Sequence, residues 1–262
     1  MPESGTFWGV SVGTGDPEGL TLKALRILQS VPVITVPHNP QRGSSRAYDI
    51  IKDQIPARLF GDSGASGPVL PFLGIQPQRV IPLDLPFTQD PQALATAWQV
   101  AADLIGGYLQ QGEDVAFACE GDVGLYSTFG HLADAVRRQD PDCVIERIPG
   151  VCSPLAAAAA LGIPLGVVQD KIAILPAMYH GDELTQALDW AEVVVLMKVK
   201  AVYQQVWDLL QQRDLLDQAS LALEVGGSQQ QLWSGLRGQR DLQLPYFAIL
   251  IIRTHPPQPG TQ

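Results

Sequence analysis

The feature that most constrains this chain is its opening. Residues 7–12 are an apolar run rich in strand-forming side chains. The run stops at the glycine-rich turn Gly13-Thr14-Gly15-Asp16-Pro17. Residues 20–28 then place apolar side chains at 20, 24, 25, 27 and 28, the spacing of a helix, and residues 31–36 read as a second strand. A strand, a tight turn, a helix and another strand build a parallel sheet with helices on its faces. The alternation continues. A helix is expected over 94–109, and a strand over 115–118 that runs into the loop Cys119-Glu120-Gly121-Asp122. A helix at 127–136 and a strand at 144–148 follow, closed by Pro149-Gly150. It then restarts with an alanine-rich helix at 154–161. Strands at 171–175, 193–199, 219–225 and 247–252 are separated in part by helices at 182–190 and 202–211. The expected fold class is α/β, with two α/β domains at 1–148 and 149–262 and a ligand cleft between them. Residues 37–91 carry many prolines and glycines between short helical and strand-like pieces. They read either as a substrate-facing excursion of the first domain or as a plain irregular insertion.

Composition decides which partners to consider. Hydrophobic residues are 46% and charged residues 17%, enough apolar mass for a sizeable core. The net charge of −10 argues against nucleic acid as a partner, since that needs a basic footprint. Cys119, Cys143 and Cys152 form no metal-binding spacing, so no metal site is expected and the thiols read as buried small hydrophobes of a reducing compartment. Met1-Pro2-Glu3-Ser4 lacks the basic start of a secretory signal. The longest apolar stretch, 151–168, is broken by Ser153, Pro154, Gly162, Pro164 and Gly166, so no membrane span is expected and the location reads as cytoplasmic.

Two glycine patterns are tempting. GxGxxG from Gly13 fails at Glu18, and no acidic ribose contact stands in 31–37, which sets a nicotinamide cofactor aside. Gly9-Val10-Ser11-Val12-Gly13 fits GxSxG formally, but Ser11 lies inside the apolar run and not on a sharp turn, which sets a hydrolase elbow aside. Glu120-Gly121-Asp122-Val123-Gly124-Leu125-Tyr126-Ser127-Thr128 says more. It joins a buried-looking strand to a helix, at the strand end where α/β proteins bind ligands. Gly121 permits close approach to the backbone, Asp122 can accept hydrogen bonds, and Ser127 and Thr128 suit a helix start. The plain alternative is an ordinary capped turn.

Taken together, these strings resemble the tetrapyrrole (corrin/porphyrin) methylase family. The segment from Gly13 to Ala24 is similar to the family's first glycine-rich signature, and Glu120 to Thr128 with Ile148-Pro149-Gly150-Val151 to its second. The likeness runs on through Ser153, Leu161 to Leu165, Ala173 to Ala177, Val195 to Val199 and Pro245-Tyr246-Phe247. It leaves out only 37–91 and the tail. The strings around Cys119, Ile148 and Leu196 resemble the branch that methylates C20 of precorrin-2 or of its cobalt-containing counterpart. Some positions depart from the pattern. Thr14 stands where the family has proline, Ser11 where it has glycine, Gly19 where it has leucine, and Val123 where it has the proline of GDP.

The resemblance implies S-adenosylmethionine (SAM) as cofactor, a precorrin-type tetrapyrrole as substrate and a homodimer. It implies that Thr14, Glu120, Gly121, Asp122, Leu125, Ser127, Thr128, Cys152, Ser153, Ala177, Met197 and Lys198 bind the cofactor. Methyl transfer to a carbon depends on alignment and exclusion of water, with a base to take the displaced proton. Glu120 is the catalytic candidate, with a purely structural carboxylate as the alternative; Tyr126, His38, His131 and His180 are further candidates. A substrate with many carboxylates meets a chain of charge −10, so local cations are needed. Arg42 and Arg46 are the best placed, with solvated surface charge as the alternative; Lys23, Arg26, Lys198, Lys200 and Arg253 are also available. Two competing readings are a methylase of another tetrapyrrole position and a non-enzymatic nucleotide- or anion-binding module.

Overall fold

The opening strand, β1 (Phe7–Ser11), has a strand on each side. It pairs in parallel with β4 (Val115–Cys119) and with β5 (Ile145–Ile148). Beyond β4 lie β2 (Val33–His38) and β3 (Arg79–Asp84), giving the order β3-β2-β4-β1-β5 with every pairing parallel. The computed structural model describes residues 4–39, 43, 45–55, 78–86, 88, 90–176 and 181–255. These fall into two units, Met1–Val151 and Cys152–Gln262.

Parallel strands need crossovers, and the first unit supplies α1 (Leu22–Ser30), α2 (Arg46–Ile51), α3 (Pro91–Leu109) and α4 (Phe129–Gln139). Local chemistry sets where they start. The Thr21 hydroxyl accepts the Ala24 N–H at 3.1 Å, so α1 begins after it and not at residue 20. Asp90 caps α3 through the Gln92 N–H, and Pro91 occupies the first helical position, which starts the helix three residues before its apolar spacing does. Of residues 37–91, the described part contributes α2 and β3; residues 56–77 lie outside it.

Side chains alternate across a strand, so β1 feeds two cores. Phe7 joins Phe117, Phe129, Leu132, Ile105 and Leu109 on one face. Val10 joins Leu28, Ile34, Val36, Ile50, Ile51 and Ile148 on the other. A sheet covered on both faces is the usual setting for all-parallel strands.

The second unit holds α5 (Ser153–Leu161), β6 (Ile172–Pro176), α6 (Gly181–Trp190), β7 (Val193–Met197), α7 (Tyr203–Gln212), β8 (Ala219–Leu223), β9 (Gln231–Ser234) and β10 (Ala248–Arg253). Its sheet order is β6-β7-β10-β8-β9. Only β6 and β7 are parallel; β10 runs antiparallel to both of its neighbours, and β9 to β8. The expected strand at 193–199 ends at Met197 because Lys198 takes a left-handed backbone (φ 58°) that opens a short 3₁₀ turn. The half-exposed β9 was not expected from the sequence pattern. Arg253, expected among the cations available to a substrate, is instead tied within this unit. Its guanidinium donates to Asp170 at 3.1 Å and to the Pro164 carbonyl at 2.7 Å. Among the described residues no helix is long and apolar enough to cross a membrane.

Candidate functional site

β1 and β4 are neighbours and parallel, so the loops after them leave the same sheet edge side by side. The two loops are stitched together by main chain. Gly13 N donates to the Gly121 carbonyl at 3.2 Å, and Gly121 N donates back to Gly13 at 2.7 Å. Both glycines have left-handed backbones, at φ 75° and 72°. At Gly121 an added Cβ would meet nothing within 4 Å, so the main chain there is open to a ligand. Gly121→Ala is therefore expected to fit sterically yet lower stability by about 1–2 kcal/mol through backbone strain alone. An unchanged urea midpoint would contradict that conformation.

A second tie comes from α2. Arg46 Nε lies 2.9 Å from Glu120 Oε1, and its Nη2 donates to the Thr14 carbonyl at 2.8 Å. One guanidinium thus holds residues of both loops. Its side chain is 22% exposed and that of Glu120 24%, so this is neither a solvated surface charge nor a fully dry pair. Burial pushes the Glu120 carboxyl up to about 7, and Arg46 restrains the rise. Burial also draws Arg46 below its ordinary value, opposed by Glu120 and by Asp49 one turn along α2. Thr14 departs from the family's proline, yet its carbonyl is fixed by this contact and its neighbour Gly13 by the bridge to Gly121.

A third tie is a buried hydroxyl. Ser11, the last residue of β1, accepts the Val123 N–H at 2.8 Å and donates to Asp122 Oδ2 at 3.4 Å. Asp122 also accepts from Gly150 N and from Gly124 N, both at 2.7 Å. Its carboxylate faces inward and organises its own loop. Farther along, Ser127 Oγ lies 2.8 Å from Cys119 Sγ and accepts the Phe129 N–H at 3.0 Å, so Ser127 makes the helix-start contact expected of it. Thr128, the residue before α4, makes no capping bond with its side chain. Burial pushes the Cys119 thiol up to about 11, which keeps it neutral.

The structure thus brings together Thr14, Arg46, Glu120, Gly121 and Asp122 within the first unit, with Leu125, Ser127 and Thr128 farther along the same loop. Cys152, Ser153, Met197 and Lys198 belong to the second. There Cys152 precedes α5, Ser153 starts it, Met197 ends β7, and Lys198 follows in its left-handed conformation. Arg42, Ala177 and His180 lie outside the described residues. The other histidines are engaged elsewhere: His38 contacts Asp84 at 2.7 Å, and His131 stacks on Trp98 with ring centres 5.6 Å apart. Among the described residues no group of three or more His, Cys, Asp or Glu side chains is placed to hold a metal ion. Sequence reasoning missed Ser11 as a member of the site. The signal was present: a hydroxyl between two valines in a buried strand needs partners, and the strand end lies beside the Asp122 loop.

Comparison with known proteins shows which family the chain is similar to. The family model of the tetrapyrrole (corrin/porphyrin) methylases matches residues 6–239. The chain is 28% identical to the cobalt-precorrin-2 C(20)-methyltransferase of Salmonella typhimurium, over 95% of this chain and 96% of that one. It is 32% identical to a probable cobalt-precorrin-2 C(20)-methyltransferase of Methanocaldococcus jannaschii, over 74% of this chain and 72% of that one. Among solved structures it shares its fold with uroporphyrin-III C-methyltransferase from Thermus thermophilus complexed with S-adenosylhomocysteine. There the TM-score is 0.59 at 17% identity, covering 95% of this chain and 97% of that one.

Proposed function

Because the chain belongs to the tetrapyrrole (corrin/porphyrin) methylases, we propose that it is a SAM-dependent C-methyltransferase acting on C20 of precorrin-2, or of its cobalt-containing counterpart, in cobalamin biosynthesis. The observation that carries the reading is the loop after β4. It offers open main chain at Gly121, at the carboxyl end of a parallel strand, with the bridge to Gly13 and the Asp122–Gly124 bond on either side. The choice of C20 rests on the names of the relatives matched over most of the chain.

The residues present fit the cofactor. Gly121 lets it approach the backbone, and Thr14, Glu120, Asp122, Leu125, Ser127 and Thr128, on the same two loops, are the proposed cofactor residues of the first unit. When bound, SAM supplies an electrophilic methyl group that C20 displaces from sulfur in line. The protein's task is to hold the loop rigid, since alignment supplies much of the rate. Glu120 is the proposed acceptor for the proton that C20 must then release. Its carboxylate, held by Arg46 and titrating near 7, is matched to that task at neutral pH. Arg46 serves through this contact, and Arg42 is the proposed partner of substrate carboxylates. Cys152, Ser153, Ala177, Met197 and Lys198 complete the proposed cofactor set. The same reading carries the homodimer that the family resemblance implies and the cytoplasmic location expected from the sequence.

The test is anaerobic incubation with methyl-labelled SAM and precorrin-2, with and without cobalt. Label at C20 is expected, and the preferred form identifies the substrate. Label at another ring position, or none despite SAM binding, would overturn the C20 assignment.

A further inference from the structure

We propose that Ser11 is a positioning residue of the cofactor site, its hydroxyl setting the course of the loop after β4. The identity of the ligand rests on the function proposed above; the geometry does not.

Ser11 stands at the end of the middle strand of three, between β4 and β5. It is 1% exposed and flanked by Val10 and Val12, both fully buried. A hydroxyl in such a place is costly unless its hydrogen-bonding capacity is used. Here it is used in both senses, accepting from Val123 N and donating to Asp122. Asp122 then holds Gly124 N with one oxygen and Gly150 N with the other. Through these bonds one side chain ties together the ends of β1, β4 and β5. The contact with the β5 end is tight as well: an added Cβ on Gly150 would lie 2.5 Å from Ser11 Cβ. No bulkier residue at 150 could leave the Ser11 side chain where it is.

The position of these bonds matters for a ligand. The Gly13–Gly121 bridge fixes the loop on one side of Asp122, and the Ser11–Val123 bond fixes it on the other. Between them the main chain cannot swing, and the open face at Gly121 is held in one orientation. Val123 is 7% exposed, so without Ser11 its N–H would lose its acceptor in a buried setting. Ser11 and Val123 meet in this single bond. A proline at 123 would offer no N–H, and a glycine at 11 no acceptor.

The test uses the intact chain and binding of S-adenosylhomocysteine measured by calorimetry, with amide hydrogen exchange as a second readout. S11A should weaken binding about ten- to hundredfold, because the ligand must then reorder a loop that Ser11 no longer holds. It should also speed exchange at Val123, Gly124 and Gly150. The double variant S11G/V123P removes donor and acceptor together and should bind far better than S11G alone. In the unmodified protein the Val123 amide should be protected like the core amides of β1 even without ligand, a result that does not require any variant to fold. S11A that binds as tightly as the parent while only melting earlier would overturn the proposal, as would a fast-exchanging Val123 in the unmodified protein. Failure of the unmodified protein to bind, with Val123 protected, would instead overturn the functional reading and with it the ligand assigned to this site.

Discussion

Glu120→Gln is expected to lower kcat about 10²- to 10⁴-fold, the range spanned by loss of a general base, and to abolish the acid limb of the pH–rate profile. The sign follows from the carboxyl's environment. Only the ionised form accepts a proton, so activity should rise with pH and level off above about 7, the value to which burial pushes Glu120. Arg46 holds that value down. Arg46→Met removes the restraint, and the acid limb should move to higher pH. Arg46→Lys keeps a charge but loses the two-pronged reach to Glu120 and the Thr14 carbonyl. It should leave the limb nearer its original pH while still lowering kcat. The charged group that bears on this titration is Arg46, which in turn faces Asp49 on α2. Initial rates of methyl transfer between pH 5.5 and about 9 give the profile. If E120Q keeps both its rate and its acid limb, Glu120 is a structural carboxylate and the proton leaves by another route.

The largest loss of stability is expected at Phe129. Its ring is fully buried, 5.2 Å from that of Phe7 and 6.2 Å from that of Phe117, with the Arg147 guanidinium 5.3 Å from its centre. Phe129→Ala should cost about 3–5 kcal/mol in urea denaturation, a large share of the ~5–15 kcal/mol that holds a typical domain together. The same ring explains Gly9 in the middle of β1. An added Cβ there would lie 2.5 Å from the ring, so Gly9→Ala should overpack the site and cost about 1–3 kcal/mol. Combining Gly9→Ala with Phe129→Leu should cost less than the sum of the single changes, because the smaller side chain makes room. Additive losses would mean that the ring and the strand do not compete for that space. Because Ser127 accepts the Phe129 N–H, the exit of the loop after β4 is anchored to the same core.

The elements that sequence reading found best are those whose burial follows one period. β1, β4 and β7 are short apolar runs, and α4 and α7 carry their apolar residues on one face. Boundaries moved where a single side chain decides them, as with Thr21 before α1 and Asp90 before α3. β9 escaped because Gln231-Leu232-Trp233-Ser234 lies at a sheet edge and is mostly exposed, so it shows no clean alternation. The glycines and acids of the two loops were legible because a turn at a strand end restricts residue type. What they bind to was not. Arg46 was expected to reach a substrate; that it also holds residues 32 and 74 positions away in sequence was not legible, because only the order β2-β4-β1 brings those together. Ser11 was weighed only as a hydrolase nucleophile and set aside because it lies inside the apolar run; its role in holding the loop after β4 shows only once β1 and β4 are paired.

The order of strands in the second unit has a consequence for synthesis. β6 and β7 can pair as soon as both have left the ribosome, and so can β8 and β9. These two pieces are joined in the sheet only by β10, which follows them in the chain and lies between β7 and β8. Until residues 248–253 emerge, β7 and β8 each present an unpaired apolar edge, the kind of surface that nascent chains must have shielded by chaperones. Among the described residues, every strand of the first unit's sheet has been made by residue 148, about a hundred positions before β10 begins. Vectorial folding should therefore complete one sheet early and hold the other open to the last, and a ribosome stalled before β10 should expose a protease-sensitive second half behind a resistant first one.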